Sequence, residues 1–162
     1  MEYRTLGKTG LKVSVVGIGG WPLGGLIGGP VGNPRKPVRD EGWSGAVDEE
    51  TVKMIRRAEE MGVNLIDSAE IYGDGHSEAI IGLATRGRRD KWVLTSKVRG
   101  FYTDVADIPH TRKRITEACE GSLRRLQSDY IDLYMLHSRP HPDCLQAAME
   151  TLTQLKKEGK VR

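Results

Sequence analysis

The sequence predicts an α/β fold of the (β/α)8-barrel type, carrying about the first four strand–helix units behind an N-terminal β-hairpin, and three observations point to it. Short apolar runs alternate with amphipathic helical segments, the pattern of a parallel sheet covered by helices. Three of those runs end on a residue that carries or steers a proton: Gly62–Ile66 ends on Asp67, Trp92–Ser96 on Lys97 and Tyr130–Leu136 on His137. The chain has 162 residues, enough for one domain with a real core. A full barrel of this type needs ~250 residues, so the expectation is a barrel truncated to its first half. Sites in such barrels collect at the C-terminal strand ends. Tyr72, five residues after Asp67 in the loop leaving that strand, would then share one mouth with Asp67, Lys97 and His137. Residues 1–162 are expected to form a single domain.

The elements follow in order. Residues 1–14 read as the hairpin, with Glu2–Leu6 and Leu11–Ser14 flanking the turn Gly7-Lys8-Thr9-Gly10, whose glycines suit positive φ. Val15–Gly19 reads as the first buried strand. Residues 20–46 form a Gly/Pro-rich stretch holding Trp21 and Trp43, expected as a mobile loop over the site, because structureless loops of that length are mostly functional or disordered. A first helix is expected from Asp48, as N-cap, to Met61, with Gly62 as the C′ residue and Val52, Ile55, Ala58 and Glu59 facing inward. Val63–Asp67 is the second strand, and Ser77 is expected to cap a short helix carrying Ile80, Ile81 and Ala84. Trp92–Lys97 is the third strand. Thr111–Leu126 is a helix with Ile115, Ala118, Cys119, Ser122 and Leu126 recurring at three- and four-residue spacing. Tyr130–Leu136 is the fourth strand, and Asp143–Glu158 a helix with Leu145, Ala148, Met149, Leu152 and Leu155 inward, closed by Gly159. Lys160-Val161-Arg162 reads as the first step of a fifth strand. Residues two apart share a strand face. Lys97 therefore points with Thr95 and Val93, His137 with Met135 and Leu133, and Asp67 with Leu65.

Composition narrows the function. The net charge is only +3, and the basic pairs Arg56-Arg57, Arg88-Arg89 and Arg124-Arg125 lie on predicted helices or beside turns, so no nucleic-acid partner is expected. No apolar stretch approaches the ~20 residues of a membrane span, and the charged N-terminus lacks a signal-peptide core. Two cysteines, Cys119 and Cys144, make no disulfide framework and suit a reducing, cytoplasmic setting. Gly17-Ile18-Gly19 hints at a dinucleotide fingerprint, but Pro22 replaces its third glycine and no helix follows. His137, His141 and Cys144 have loosely metal-like spacing. Pro140 and Pro142 stiffen that loop and no carboxylate cluster accompanies it, so no metal is predicted. His76 and His110 read as surface residues at helix starts.

The three strand-end residues and Tyr72 are chemically complementary. A phenol loses its proton near pH ~10, and a nearby ammonium favours the phenolate and makes the phenol a better acid. Asp67 would hold Lys97 in place and charged, and His137 would donate to a carbonyl oxygen. Such a set protonates a carbonyl oxygen while hydride reaches the carbon, and the hydride must come from a cofactor.

The segments YRTLGKTGLKVSVVGIGG (3–20), GVNLIDSAEIYGDGHSEAIIG (62–82), WVLTSK (92–97) and SLRRLQSDYIDLYMLH (122–137) closely resemble aldo-keto reductases, in order and with family-like spacing. The resemblance implies a catalytic tetrad of Asp67, Tyr72, Lys97 and His137, with tyrosine as general acid. It implies NADPH or NADH as cofactor, with Gly20, Trp21 and Asp67 as binding residues, and a small-molecule carbonyl substrate. Ser68 and Ser96 stand where the family often has threonine. By the same resemblance, strands five to eight carry the nicotinamide-stacking aromatic, the amide-holding polar residues and the adenosine-phosphate site, so carbonyl reduction or alcohol oxidation is expected to be impaired in this short chain. Two other classes stay open: a non-enzymatic regulatory subunit, as the potassium-channel beta subunits that resemble the family, and an inactive fragment. The open edges of a half-barrel predict self-association, as a homodimer or a heterogeneous aggregate.

Overall fold

Gly7 and Gly10 turn the chain at φ of 52° and 74°. The strands they join, β1 (Tyr3–Thr5) and β2 (Lys12–Ser14), pair antiparallel with Tyr3 opposite Ser14. The computed structural model describes residues 1–25, 47–99 and 105–162. Most of the Gly/Pro-rich stretch, from residue 26 to 46 and including Trp43, lies outside the described residues, and with it the expected loop over the site.

Four strands, β3 (Ile18–Gly19), β4 (Leu65–Asp67), β5 (Val93–Val98) and β6 (Leu133–Leu136), form one parallel sheet in chain order. The helices α1 (Asp48–Glu60), α2 (His76–Thr85), α3 (Ile108–Leu126) and α4 (Leu145–Lys157) alternate with them. This is the parallel, sequential order of half a (β/α)8 barrel. Gly19 pairs with Asp67, Asp67 with Thr95 and Thr95 with Leu133. The expected strand phases hold in that register. Ile66, Leu94, Val98 and Tyr134 face the helices and are buried against Ile55, Ile81, Ile115 and Leu155. Val161 forms a parallel bridge with Ile131, with Ile131 N–H donating to Lys160 O and Arg162 N–H to Ile131 O, so the step toward a fifth strand is present.

Several expectations are corrected. The first barrel strand is only Ile18–Gly19, and Val15 and Val16 are exposed. Val15 N–H stays with the hairpin on Glu2 O, while Ser14 Oγ donates to Val16 O and bends the chain before the sheet begins. Helix α1 is capped by Val47, and Asp48 is its first residue, because the Asp48 carboxylate is taken by His76 Nε2 at 2.8 Å. His76 is therefore a linked, partly buried side chain. Gly75 caps α2, and the Ser77 hydroxyl turns inward to Gly20 O. Helix α3 starts at Ile108, where Asp107 caps it by accepting from His110 N–H. In α4 the inward stripe is Ala147, Ala148, Thr151 and Leu155, whereas Leu145 and Met149 are exposed. Small residues, with Thr151 Oγ1 satisfied on Ala147 O, let α4 approach the core closely.

Polar ties fix the strands from below. Asp132, almost fully buried, accepts from Leu94 N–H at 2.9 Å, from Arg89 at 2.6 Å and from Arg162 at 3.1 Å. Arg89 and Arg162 also lie 4.1 and 4.0 Å from the centre of the Tyr130 ring, within cation–π range.

Helices α2 and α3 meet at Gly82, where a Cβ would stand 2.5 Å from Arg125 O and 2.7 Å from Leu126 C. Helix propensity alone would make alanine better there by about 1 kcal/mol. The backbone clash dominates, so Gly82→Ala is expected to destabilise the fold by about 1–3 kcal/mol net. Urea unfolding checks this, and an unchanged or raised midpoint would contradict the close approach.

Candidate active site

Parallel register does most of the assembly. Asp67 ends β4 opposite Thr95, and Thr95 Oγ1 donates to Asp67 Oδ1 at 2.5 Å. Lys97, two residues further along the same face of β5, reaches back, its Nζ donating to Asp67 Oδ1 at 2.7 Å and to Ser68 O at 2.9 Å. The lysine side chain is mostly buried (14 % exposed), whereas the aspartate is half exposed, so the ion pair opens to solvent on the carboxylate side.

The loop from β4 carries Tyr72 to the same place. Ser68 N–H donates to Thr95 O and Glu70 N–H to Lys97 O, which continues the β5 edge into the loop, and Tyr72 N–H closes a turn on Ala69 O. A short 3-10 turn at Pro22–Gly24 buttresses it. A Cβ on Gly24 would lie 2.7 Å from Gly73 N, and Gly73 itself has φ of 62°, so both positions need glycine. Lys97 Nζ sits 5.4 Å from the Tyr72 ring centre. His137 follows β6, its N–H donating to Val98 O at 2.8 Å, and its ring meets Tyr72 edge-on at 5.6 Å and 88°. All four predicted residues thus converge at one mouth.

Partial burial, followed by the positive charges of Lys97 and Arg99, holds the His137 pKa below its ordinary 6.5, while Asp67 and Glu70 pull weakly the other way. The ring is a neutral imidazole at neutral pH, a donor through one nitrogen and an acceptor through the other.

Gly20 lies at the end of β3 with both backbone groups engaged, its N–H on Asp67 O and its carbonyl accepting from Ser77 Oγ. A Cβ there would meet Ser77 Oγ at 2.8 Å and Asp67 O at 2.9 Å. Trp21, next along, is half exposed. Ser138 Oγ, one residue past His137, is buried with no hydrogen-bond partner among the described residues. An exposed indole, a half-exposed carboxylate and an orphaned hydroxyl at one strand-end face fit the nicotinamide end of a dinucleotide. His141 turns to its own loop, where Nδ1 accepts from Asp143 N–H, and Cys144 is buried at the start of α4.

Sequence reasoning missed two glutamates. Glu70 accepts from Arg99 N–H at 2.7 Å and pairs with the Arg114 guanidinium, and Glu78 is wholly buried against Ser96 and Arg125. Their only sequence signal is a carboxylate beside apolar neighbours, which an exposed helix start gives equally well.

These parts define one half of a barrel with a carboxylate, an ammonium, a phenol and an imidazole at its mouth. The description of the aldo/keto reductase family matches residues 39–162. The chain is 34% identical over 165 residues to aldo-keto reductase YhdN of Bacillus subtilis, a match covering 100% of this chain and 45% of that protein. It is 33% identical over 168 residues to L-galactose dehydrogenase of Arabidopsis thaliana, covering 100% and 47%. Among solved structures, an aldo-keto reductase of Bacillus halodurans in its holo form superposes with a TM-score of 0.76 at 31% identity, covering 100% of this chain and 48% of that one. An aldo-keto reductase of Klebsiella pneumoniae in complex with NADPH gives 0.73 at 33% identity, covering 100% and 48%. The chain belongs to the aldo/keto reductase family. It spans about half the length of the relatives it matches.

The electrostatics make a prediction. His137 is expected to titrate below 6.5 by NMR, and Lys97→Met to raise its midpoint by removing a cation and freeing the Asp67 charge. Because the unfolded chain takes up this proton at higher pH, the His137 contribution to stability is present above 6.5 and is lost as pH falls toward the folded pKa. A midpoint unmoved in Lys97→Met would show that Lys97 does not face the ring.

Proposed function

We propose that this chain carries the proton-handling residues of an NAD(P)H-dependent carbonyl reductase that also runs as an alcohol dehydrogenase. The observation that carries the reading is the convergence of Asp67, Tyr72, Lys97 and His137 at one mouth. Tyr72 donates a proton to the carbonyl oxygen of an aldehyde or ketone. Lys97 stabilises the negative charge left on the phenol oxygen, and Asp67 with Ser68 O holds the ammonium in reach. The neutral His137 donates to the same carbonyl oxygen and orients it. In alcohol oxidation the proton returns along the same path. When bound, a reduced nicotinamide supplies hydride to the carbonyl carbon. Trp21 and Asp67 are the described residues that would hold it, with Gly20, its backbone bound to Asp67 and Ser77, fixing the turn that carries Trp21, and the NADPH complex of the Klebsiella relative supports that cofactor. Free, buried Cys119 and Cys144 suit a cytoplasmic setting, and among the described residues no helix is long and apolar enough to cross a membrane.

The isolated 162-residue chain is expected to show no measurable NADPH oxidation. The cofactor contacts that the family resemblance assigns to strands five to eight include charge-assisted bonds worth about 1.5–3 kcal/mol each. Joined to the last four units of a relative, it should oxidise NADPH in an aldehyde-dependent way. Tyr72→Phe should then lower turnover by roughly 10²–10⁴-fold, the usual worth of a general acid, with cofactor affinity unchanged in a fluorescence titration. Equal loss of both would make Tyr72 structural.

We also propose self-association through the sheet edges. The strand order leaves β3 at one edge, and Met135 on the inner face is exposed among the described residues. Unpaired edges and bare apolar faces recruit other chains. Sedimentation at micromolar concentration should find a dimer or a heterogeneous aggregate, and a compact, stable monomer there contradicts the proposal.

A further inference from the structure

The residues just behind Tyr72 hold more anchors than a helix start requires. After Gly75, in left-handed backbone at φ 90°, three consecutive side chains each reach a different element. His76 binds Asp48 on α1. Ser77 Oγ donates to Gly20 O at 2.7 Å and lies 3.0 Å from Ser68 Oγ. Glu78 accepts from Ser96 Oγ on β5 at 2.5 Å and from Arg125 Nε on α3 at 2.7 Å.

Of the three, Glu78 is the costly one, because it is fully buried and charged. Desolvating such a pair roughly offsets its attraction, and apolar replacements of similar volume often serve stability as well. Its placement supplies what stability does not explain. Ser96 lies between Thr95 and Lys97, both of which bond Asp67. Ser77 N–H, one residue before Glu78, donates to Tyr72 O at 3.2 Å. Glu78 therefore joins the turn that ends the Tyr72 loop to the strand position beside Lys97, from the helix side of the sheet. Arg125 backs it, packed so tightly under Gly75 that a Cβ there would stand 2.5 Å from Arg125 Cδ.

We propose that Glu78 is a positioning residue, and that its bonds to Ser96 and Arg125 set the 5.4 Å separation between the Lys97 ammonium and the Tyr72 ring. The proposal rests on the reading of Tyr72 and Lys97 as the proton-handling pair, but its test needs no turnover. The full chain is labelled with 3-fluorotyrosine at its five tyrosines and followed by fluorine NMR, with Tyr72→Phe identifying the Tyr72 line. Glu78→Gln is expected to shift or split the Tyr72 line, and to move that of Tyr134, which pairs with Ser96 across the sheet, while the remote Tyr3 and Tyr130 keep their positions. Ser96→Ala, which spares the Glu78–Arg125 pair and cuts only the tie to β5, is expected to do the same in a protein that still melts cooperatively. A Tyr72 line unmoved in folded Ser96→Ala overturns the proposal. Loss of all lines together in both variants overturns it too, since the network would then serve the fold as a whole. Failure of the catalytic reading shows separately, as turnover insensitive to Tyr72→Phe in the joined protein.

Discussion

A single carboxylate oxygen, Asp67 Oδ1, accepts from Thr95 Oγ1 and from Lys97 Nζ, two residues on one face of the neighbouring strand. The rest of the site is arranged around that bond pair. It depends on the parallel register that sets Asp67 opposite Thr95, since a slip of one residue would send Thr95 and Lys97 to the helix side together. With Lys97 held, the loop from Ser68 to Tyr72 has a fixed edge to follow, because its N–H groups at Ser68 and Glu70 continue along β5. Tyr72 is thereby brought over Lys97 and against His137.

Strand β5 is also where the buried acids meet. Glu59 accepts from the indole N–H of Trp92, Asp132 from Leu94 N–H, Glu78 from Ser96 Oγ and Glu70 from Arg99 N–H. Each acid is bound to at least one cation as well: Arg88 and Lys91, Arg89, Arg125 and Arg114 respectively. Carboxylates removed from water need partners, and a strand tied at Leu94 and Ser96 and just beyond both ends has little freedom to shift register. The chain's mild net charge conceals this internal pairing, and the basic pairs Arg88-Arg89 and Arg124-Arg125 give no sign of it from their places on helices and beside turns.

The expected helices and strands were largely present because their periodicities are local. The stripe of Ile115, Ala118, Cys119, Ser122 and Leu126 is buried as its spacing requires. Burial of Cys119 pushes its thiol pKa up to about 11, so it behaves as a core residue. In α4, Ala148, Leu152 and Leu155 face the core as their spacing requires, whereas Leu145 and Met149 are exposed because the small Ala147 and Thr151 complete the inner stripe in their place. Asp48 and Ser77 were misassigned as caps because both side chains serve distant partners, His76 and Gly20.

What the sequence determined by itself was the order of elements, the strand phases and the three polar residues at the strand ends. All of these follow from two periods, 2.0 and 3.6, and from the chemistry of residue types. Only the tertiary structure decided which partners the polar side chains take. It alone shows that the buried Glu78 and the partly buried Glu70 are ties between elements, that Gly24 and Gly73 meet back to back, and that Ser138 Oγ has no hydrogen-bond partner among the described residues. The physical reason is distance along the chain. A hydrogen bond between residues eighteen or forty-seven apart, as at Glu78, leaves no periodic trace, and it forms only once the sheet and helices have brought those residues together.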